Sequence, residues 1–188
     1  AGTTTELNVA DYFRSNKMTY KAITYDSSDE TVKAFEAGRC DVLTSDASQL
    51  YALRIKLSAP GNAFVLPEII SKEPLGPVVR QGDDEWFNVV RWALFAQINA
   101  EEAGLTSGNV DGMKSSKDPN IRRILGLEGV KGEMLGLKDD WAYQIVKQVG
   151  NYGEMFERNV GKGSALGIAR GQNALWNAGG LQYAPPIR

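Results

Sequence analysis

Two short stretches carry residue types that could hold a small charged molecule. The first is Gly2-Thr3-Thr4-Thr5-Glu6, just ahead of the apolar-periodic run Leu7, Val9, Ala10, Tyr12 and Phe13. Thr3 with Glu6 three places later has capping-box spacing, so the stretch predicts a loop that opens a helix. The first N–H groups of such a helix lack partners. With the threonine hydroxyls and the positive end of the helix dipole they suit an anion such as a carboxylate or phosphate. The second stretch is Leu43-Thr44-Ser45-Asp46-Ala47-Ser48, where a strand is expected to end and a helix to begin. A loop for a carboxylate facing Asp46 for an ammonium would suit a zwitterion. Each stretch also reads as a helix cap and nothing more, Thr3 in one and Asp46 or Ser45 in the other.

These corners need elements to position them. Residues 4–16 read as a first helix, and residues 19–25 (Thr-Tyr-Lys-Ala-Ile-Thr-Tyr), rich in β-branched and aromatic side chains, as a strand. Residues 31–37 continue as a helix that Gly38 ends, followed by a short strand over 40–44, a helix through Leu50, Leu53 and Ile55, and a strand over 63–66. The alternation predicts an α/β unit with a parallel sheet. Ligands of such sheets bind outside the carboxyl ends of the strands, and right-handed crossovers put the two corners on one sheet edge. A unit of this kind normally opens with a strand ahead of the Gly-Thr loop, so the chain is expected to begin one strand late.

Residues 67–80 contain Pro67, Pro74 and Pro77 and read as a connector or hinge, with residues 77–80 as an edge strand. The expected division is 1–73 and 74–188. The second part reads as helical: a long helix over 83–103, then 109–115, 119–125, 139–150, 152–160 and 172–177. Trp86, Trp92, Trp141 and Trp176 are expected as core or inter-helix anchors. Asp139-Asp140 and Glu101-Glu102 read as helix-end charges, and Gly161-Lys162-Gly163-Ser164 as a plain loop without Walker spacing.

Composition narrows the chemistry. The 188 residues are 43% hydrophobic and 23% charged, with a net charge of −2 and no basic block, which argues against nucleic acid as a partner. There is no histidine, which removes the commonest general base and the usual zinc ligand. The one cysteine, Cys40, has no second thiol in the chain to pair with and reads as a small buried residue. No carboxylate cluster has metal-site spacing, and no Gly-x-Ser-x-Gly elbow is present. No catalytic residue, metal or cofactor is expected.

Several stretches resemble the periplasmic general L-amino-acid-binding proteins of ABC transporters, which belong to solute-binding protein family 3. They are residues 2–6 (Gly-Thr-Thr-Thr-Glu), 36–46 (Glu-Ala-Gly-Arg-Cys-Asp-Val-Leu-Thr-Ser-Asp), 72–80 (Lys-Glu-Pro-Leu-Gly-Pro-Val-Val-Arg), 86–92 (Trp-Phe-Asn-Val-Val-Arg-Trp), 151–154, 156–159 and 179–186. The resemblance covers essentially the whole chain. It implies a type II periplasmic binding protein with two α/β lobes around a cleft. Residues 1–73 would be most of the second lobe, and 74–188 a return to the first lobe plus a helical C-terminal extension. It further implies that Thr3 and the Thr4 amide hold a ligand's α-carboxylate and that Asp46 holds its α-ammonium. The implied partners are an L-amino acid, a membrane permease, and a missing N-terminal lobe or another chain. That lobe would supply a carboxylate-clamping arginine, and the strand before Gly2 would supply a cysteine as a plausible partner for Cys40. The implied location is the periplasm. Two rival readings are an enzyme on the same fold, of the cyclohexadienyl-dehydratase kind, and a non-binding fragment that pairs with another chain.

Overall fold

The computed structural model describes residues 1–129 and 131–188. The chain divides into two units, Ala1–Leu75 and Gly76–Arg188.

The first unit contains three α-helices, α1 (Thr4–Ser15), α2 (Ser28–Glu36) and α3 (Ala47–Arg54), and a 3₁₀ turn at Pro60–Asn62. α2 starts three residues before the expected position. The Ser27 side chain accepts from Glu30 N, and the Thr31 hydroxyl bonds back to Ser27 O at 3.0 Å, so the cap precedes the first apolar residue. At the other end of α2 the Glu36 carboxylate accepts from both N and Oγ of Ser58, at 2.7 and 2.8 Å. These bonds hold its carboxyl below the usual carboxylate value.

The expected parallel sheet is not formed among the described residues. Residues 19–25, 40–44, 63–66 and 77–80 carry no ladder, and the backbone bridge that does occur joins Leu175 and Gln182 in the second unit. The reason lies in where each kind of hydrogen bond closes. A helix satisfies its backbone within five residues, whereas a strand depends on a neighbour distant in sequence. β-propensity describes a fit to a pleated, half-buried surface, and without that surface it leaves no strand. Cys40 is correspondingly only half-buried, with a free thiol.

The second unit is built on α4 (Asp84–Glu102) with α5 (Pro119–Ile124), α6 (Trp141–Val149) and α7 (Tyr152–Asn159). Side-chain caps open three of them: Asp83 to Trp86 N, Asp118 to Asn120 N and Ile121 N, and a full Asn151–Glu154 capping box. Residues 109–115 and 172–177, expected as helices, contain 3₁₀ turns at Gly112–Ser115, Gly171–Asn173 and Trp176–Ala178. Gly104, at φ 67°, lets Leu105 N bond back to Ala100 O and turns the chain out of α4. Gly126 is required by space as well as by its positive φ, since a Cβ there would lie 2.1 Å from the carbonyl oxygen of Asp139.

The core joins Ala96 and Ala100 of α4 to Leu105, Val110, Ile121, Ile124, Leu125, Trp141, Ala142 and Val146, and the C-terminal Ile187 closes it. A second cluster packs Ile98 with Leu175 and Ala184. Asn99, buried on α4, spends its amide on Phe95 O and Pro185 O and so ties down the tail. The tryptophans divide. Trp141 is buried and Trp92 packs on the core, but Trp86 and Trp176 are 54% and 50% exposed and are not core anchors. The apolar stripe of α4 is simply longer than the core that its C-terminal half covers.

Candidate functional site

The residues singled out by their chemistry stand at helix starts in the first unit. Thr3 is the N-cap of α1, extended at φ −105° and ψ 163°, and its side chain makes no cap bond. Glu6 does not complete the box on Thr3; its Oε2 accepts from Gly2 N at 2.8 Å. Thr3 and Thr4 are therefore exposed, and the Thr3 hydroxyl is not committed to the helix it opens. Asp46 is the N-cap of α3. It is half-buried, and its carboxylate makes no cap bond either.

Two links tie these starts to that of α2. Ala1 N donates to Tyr25 O at 2.7 Å, bringing the Gly2–Thr4 loop against the segment that leads into Ser27. Gln49, in the first turn of α3, donates to the Ser28 hydroxyl at 3.2 Å while its Oε1 accepts the Ser45 hydroxyl. The starts of α1 and α3 are thus each joined to the start of α2. No hydrogen bond joins Thr3 or Thr4 to Asp46 directly among the described residues. Gln49 and Ser28 were not picked out from the sequence. The available signal was Asp46-x-x-Gln49, which repeats the capping-box spacing of Thr3-x-x-Glu6.

The arrangement combines positive helix ends and free N–H and hydroxyl donors with one uncommitted carboxylate. Thr3 and Thr4 offer donors of the kind an anion needs, and Asp46 a carboxylate of the kind a cation needs. Among the described residues no group of three or more cysteines and carboxylates is placed to hold a metal ion.

The charged pairs of the second unit are structural. Glu101 is no simple helix-end charge: Arg170 grips it through Nη1 and Nη2 at 2.9 and 3.1 Å, with the guanidinium 5.4 and 5.3 Å from the ring centres of Tyr152 and Phe156. Glu154 accepts from Ser107 N and Oγ and from Asn151 N. Burial pushes its carboxyl up, but the bonds from Ser107 and Asn151 and the nearby Arg158 outweigh burial and hold it below the usual value. The loop at Gly161-Lys162-Gly163 winds on Glu157, whose carboxylate accepts from Lys162 N, leaving no cradle for a phosphate.

No family model matches the chain. Its backbone does match, over its whole length and 59% of the other chain, the structure titled "ABC transporter / periplasmic binding protein from Brucella ovis with glutathione bound", with a TM-score of 0.92 and 56% identity. The fold is therefore that of the corresponding part of a periplasmic binding protein. The chain is 64% identical to a protein provisionally named amino-acid ABC transporter-binding protein YhdW of Escherichia coli strain K12, and 58% identical to the general L-amino acid-binding periplasmic protein AapJ of Rhizobium johnstonii. It is 50% identical to the glutamate/glutamine/aspartate/asparagine-binding protein BztA of Rhodobacter capsulatus. All of the chain is covered in each case, and 55%, 56% and 56% of these relatives. The chain is thus homologous along its length to periplasmic binding proteins of amino-acid ABC transporters, and spans a little over half of them. The relatives are named as binding proteins, not as enzymes. No helix among the described residues is long and apolar enough to cross a membrane.

Proposed function

We propose that the chain is part of the substrate-binding component of an ABC amino-acid importer and contributes half of the shell around an L-amino acid. In this reading Thr3 and the Thr4 amide hold the ligand's α-carboxylate, and Asp46 holds its α-ammonium. The observation that carries it is that Thr3 and Asp46 both stand at N-caps without capping. Two polar side chains that could have closed their own helices are free for something else. The names of the relatives support the same head group. A general L-amino acid, glutamate, glutamine and glutathione share one feature, an α-carboxylate and α-ammonium on one carbon.

Residues 1–73 would then form most of the second lobe of a two-lobed protein. Residues 74–188 would return to the first lobe and add a helical extension, and closure would bend the chain near Lys72–Pro77. In the whole protein residues 19–25, 40–44 and 63–66 would pair in a parallel sheet, a lobe outside this chain would supply the opposing contacts, and a membrane permease would receive the closed form in the periplasm. Calorimetry with a panel of L-amino acids tests this, using the chain alone and completed with the N-terminal portion of a relative. Weak or no binding is expected for the chain alone and micromolar or tighter binding for the completed protein. Undetectable binding by the completed protein across acidic, polar and aliphatic members would sink the assignment. Asp46→Ala should abolish the preference for an α-amino group.

One observation favours an assembly role beside binding: Leu7, Val42, Phe64, Leu66 and Ile69 are all exposed on the first unit. Light scattering tests it, and a monodisperse folded monomer would count against it.

A further inference from the structure

We propose that Gln49 is a positioning residue that keeps the Asp46 carboxylate off its own helix, an inference that rests on Asp46 as the ammonium-binding group. An aspartate at an N-cap ordinarily turns its carboxylate onto the free N–H groups of the first helical turn. Asp46 occupies that place ahead of α3 and makes no such bond. Gln49 stands at the third helical position, from which a glutamine ordinarily reaches back to the N-cap N–H. Here it clasps the residue before the cap: its Oε1 accepts the Ser45 hydroxyl, and its Nε2 donates to Ser28 Oγ at the start of α2. Ser45 and Gln49 are both half-buried, so the clasp is partly shielded from competing water.

The clasp holds the peptide that leads into Asp46, whose backbone stands at φ −55° and ψ 140°. A capping carboxylate and a Ser45–Gln49 clasp are alternative ways to finish the same turn. With the clasp in place, the first-turn N–H groups stay uncapped and the carboxylate stays open to a ligand cation. The link to Ser28 sets the position of that carboxylate relative to α2, and through Tyr25 relative to the Gly2–Thr4 loop.

Gln49→Ala removes the clasp and lets Asp46 cap α3. Hydrogen exchange at the backbone amides of residues 48 and 49, in the 188-residue chain, should slow about two- to fivefold as they gain a partner. Gln49→Glu keeps an oxygen for the Ser45 hydroxyl and should restore the original exchange rate. Unchanged exchange in Gln49→Ala overturns the proposal. In the completed protein, Gln49→Ala should weaken L-glutamate and L-glutamine about five- to tenfold, the loss of one well-placed hydrogen-bonded contact. It should leave glutarate, which lacks the α-ammonium, unchanged. Equal weakening of glutarate would mean a general structural role and would also overturn the proposal. If exchange slows but neither protein binds any member of the panel, the clasp stands and the reading of Asp46 as a ligand group falls.

Discussion

The two units have similar helical signals in their sequences but different interiors. In Ala1–Leu75, Ala34 is the one buried hydrophobic residue among those described; every other buried hydrophobic lies in Gly76–Arg188. The first unit is tied together by exposed hydrogen bonds, such as Asn8 Nδ2 in α1 to Glu73 at 3.0 Å and Ser58 to Glu36 at the end of α2. The second is held by Leu105, Val110, Ile124, Leu125 and Val146, all almost completely buried. Helices form in both, with a side-chain cap on α2 in the first unit and on α4, α5 and α7 in the second. What separates the units is whether the apolar faces of those helices find one another.

The comparison breaks most visibly under proteolysis. Residues 66–80 have no helix or ladder, and Lys72 and Arg80 are exposed within them, so brief trypsin treatment should cleave there and throughout the first unit. A fragment starting after Arg80 should persist, as read by mass spectrometry. Equal loss of both halves would mean that the second unit has no independent stability.

Core truncation should separate the units next. Leu105→Ala should cost about 2–5 kcal/mol in denaturant unfolding, because it empties a fully enclosed site. Phe64→Ala, at a residue 80% exposed, should change stability by no more than about 0.5 kcal/mol.

A smaller effect is expected at the Arg170–Glu101 pair. Arg170→Met leaves the Glu101 carboxylate without its two-pronged partner and removes the cation above Tyr152 and Phe156. Because both side chains keep about a fifth of their exposure, the expected cost is about 1–2 kcal/mol, below that of a fully buried pair.

The smallest and most specific effect is on acid stability. Glu154 is held below its ordinary value of 4.5 in the folded chain, so its contribution is fully present above that value and is lost as pH falls through the lower, folded one. Glu154→Gln should therefore flatten the fall in stability below about pH 4.5 while lowering stability at neutral pH, measured as unfolding midpoint against pH. An unchanged acid slope would show that Ser107 and Asn151 do not hold the carboxylate.

Particular residues mark how far sequence reasoning reaches. The expected helix over 4–16 ends at Ser15, and that over 83–103 runs from Asp84 to Glu102, because Thr3, Asp83, Gly104 and the apolar repeat all act within a turn or two. α2 starts at Ser28, ahead of the expected Thr31, because its cap Ser27 lies ahead of the apolar residues that announce the helix. Trp86 is exposed where a core or inter-helix anchor is expected, because a stripe of apolar residues says which side of α4 faces inward but not how far the core extends along it. At the candidate site, Thr3 and Asp46 were legible as polar residues at helix starts. That neither caps its helix was not legible, and the reason lies partly with Glu6 bonding to Gly2 and Gln49 bonding to Ser45 and Ser28.

Local chemistry therefore accounts for the helices, their caps and the polar corners, since each depends on residues a few places apart. It also accounts for the resemblance to amino-acid-binding proteins, which rests on runs of consecutive residues such as 36–46 and 72–80. Long-range contacts account for the rest: the core closed by Ile187 over α4, α5 and α6, the grip of Arg170 on Glu101, and the bond between Gln49 and Ser28. Each joins residues separated by 21 or more positions, and the strand segments of the first unit lack a ladder for the same reason. Their hydrogen bonds close only with partners that are remote along the chain, and a residue's own neighbours carry no information about whether those partners arrive.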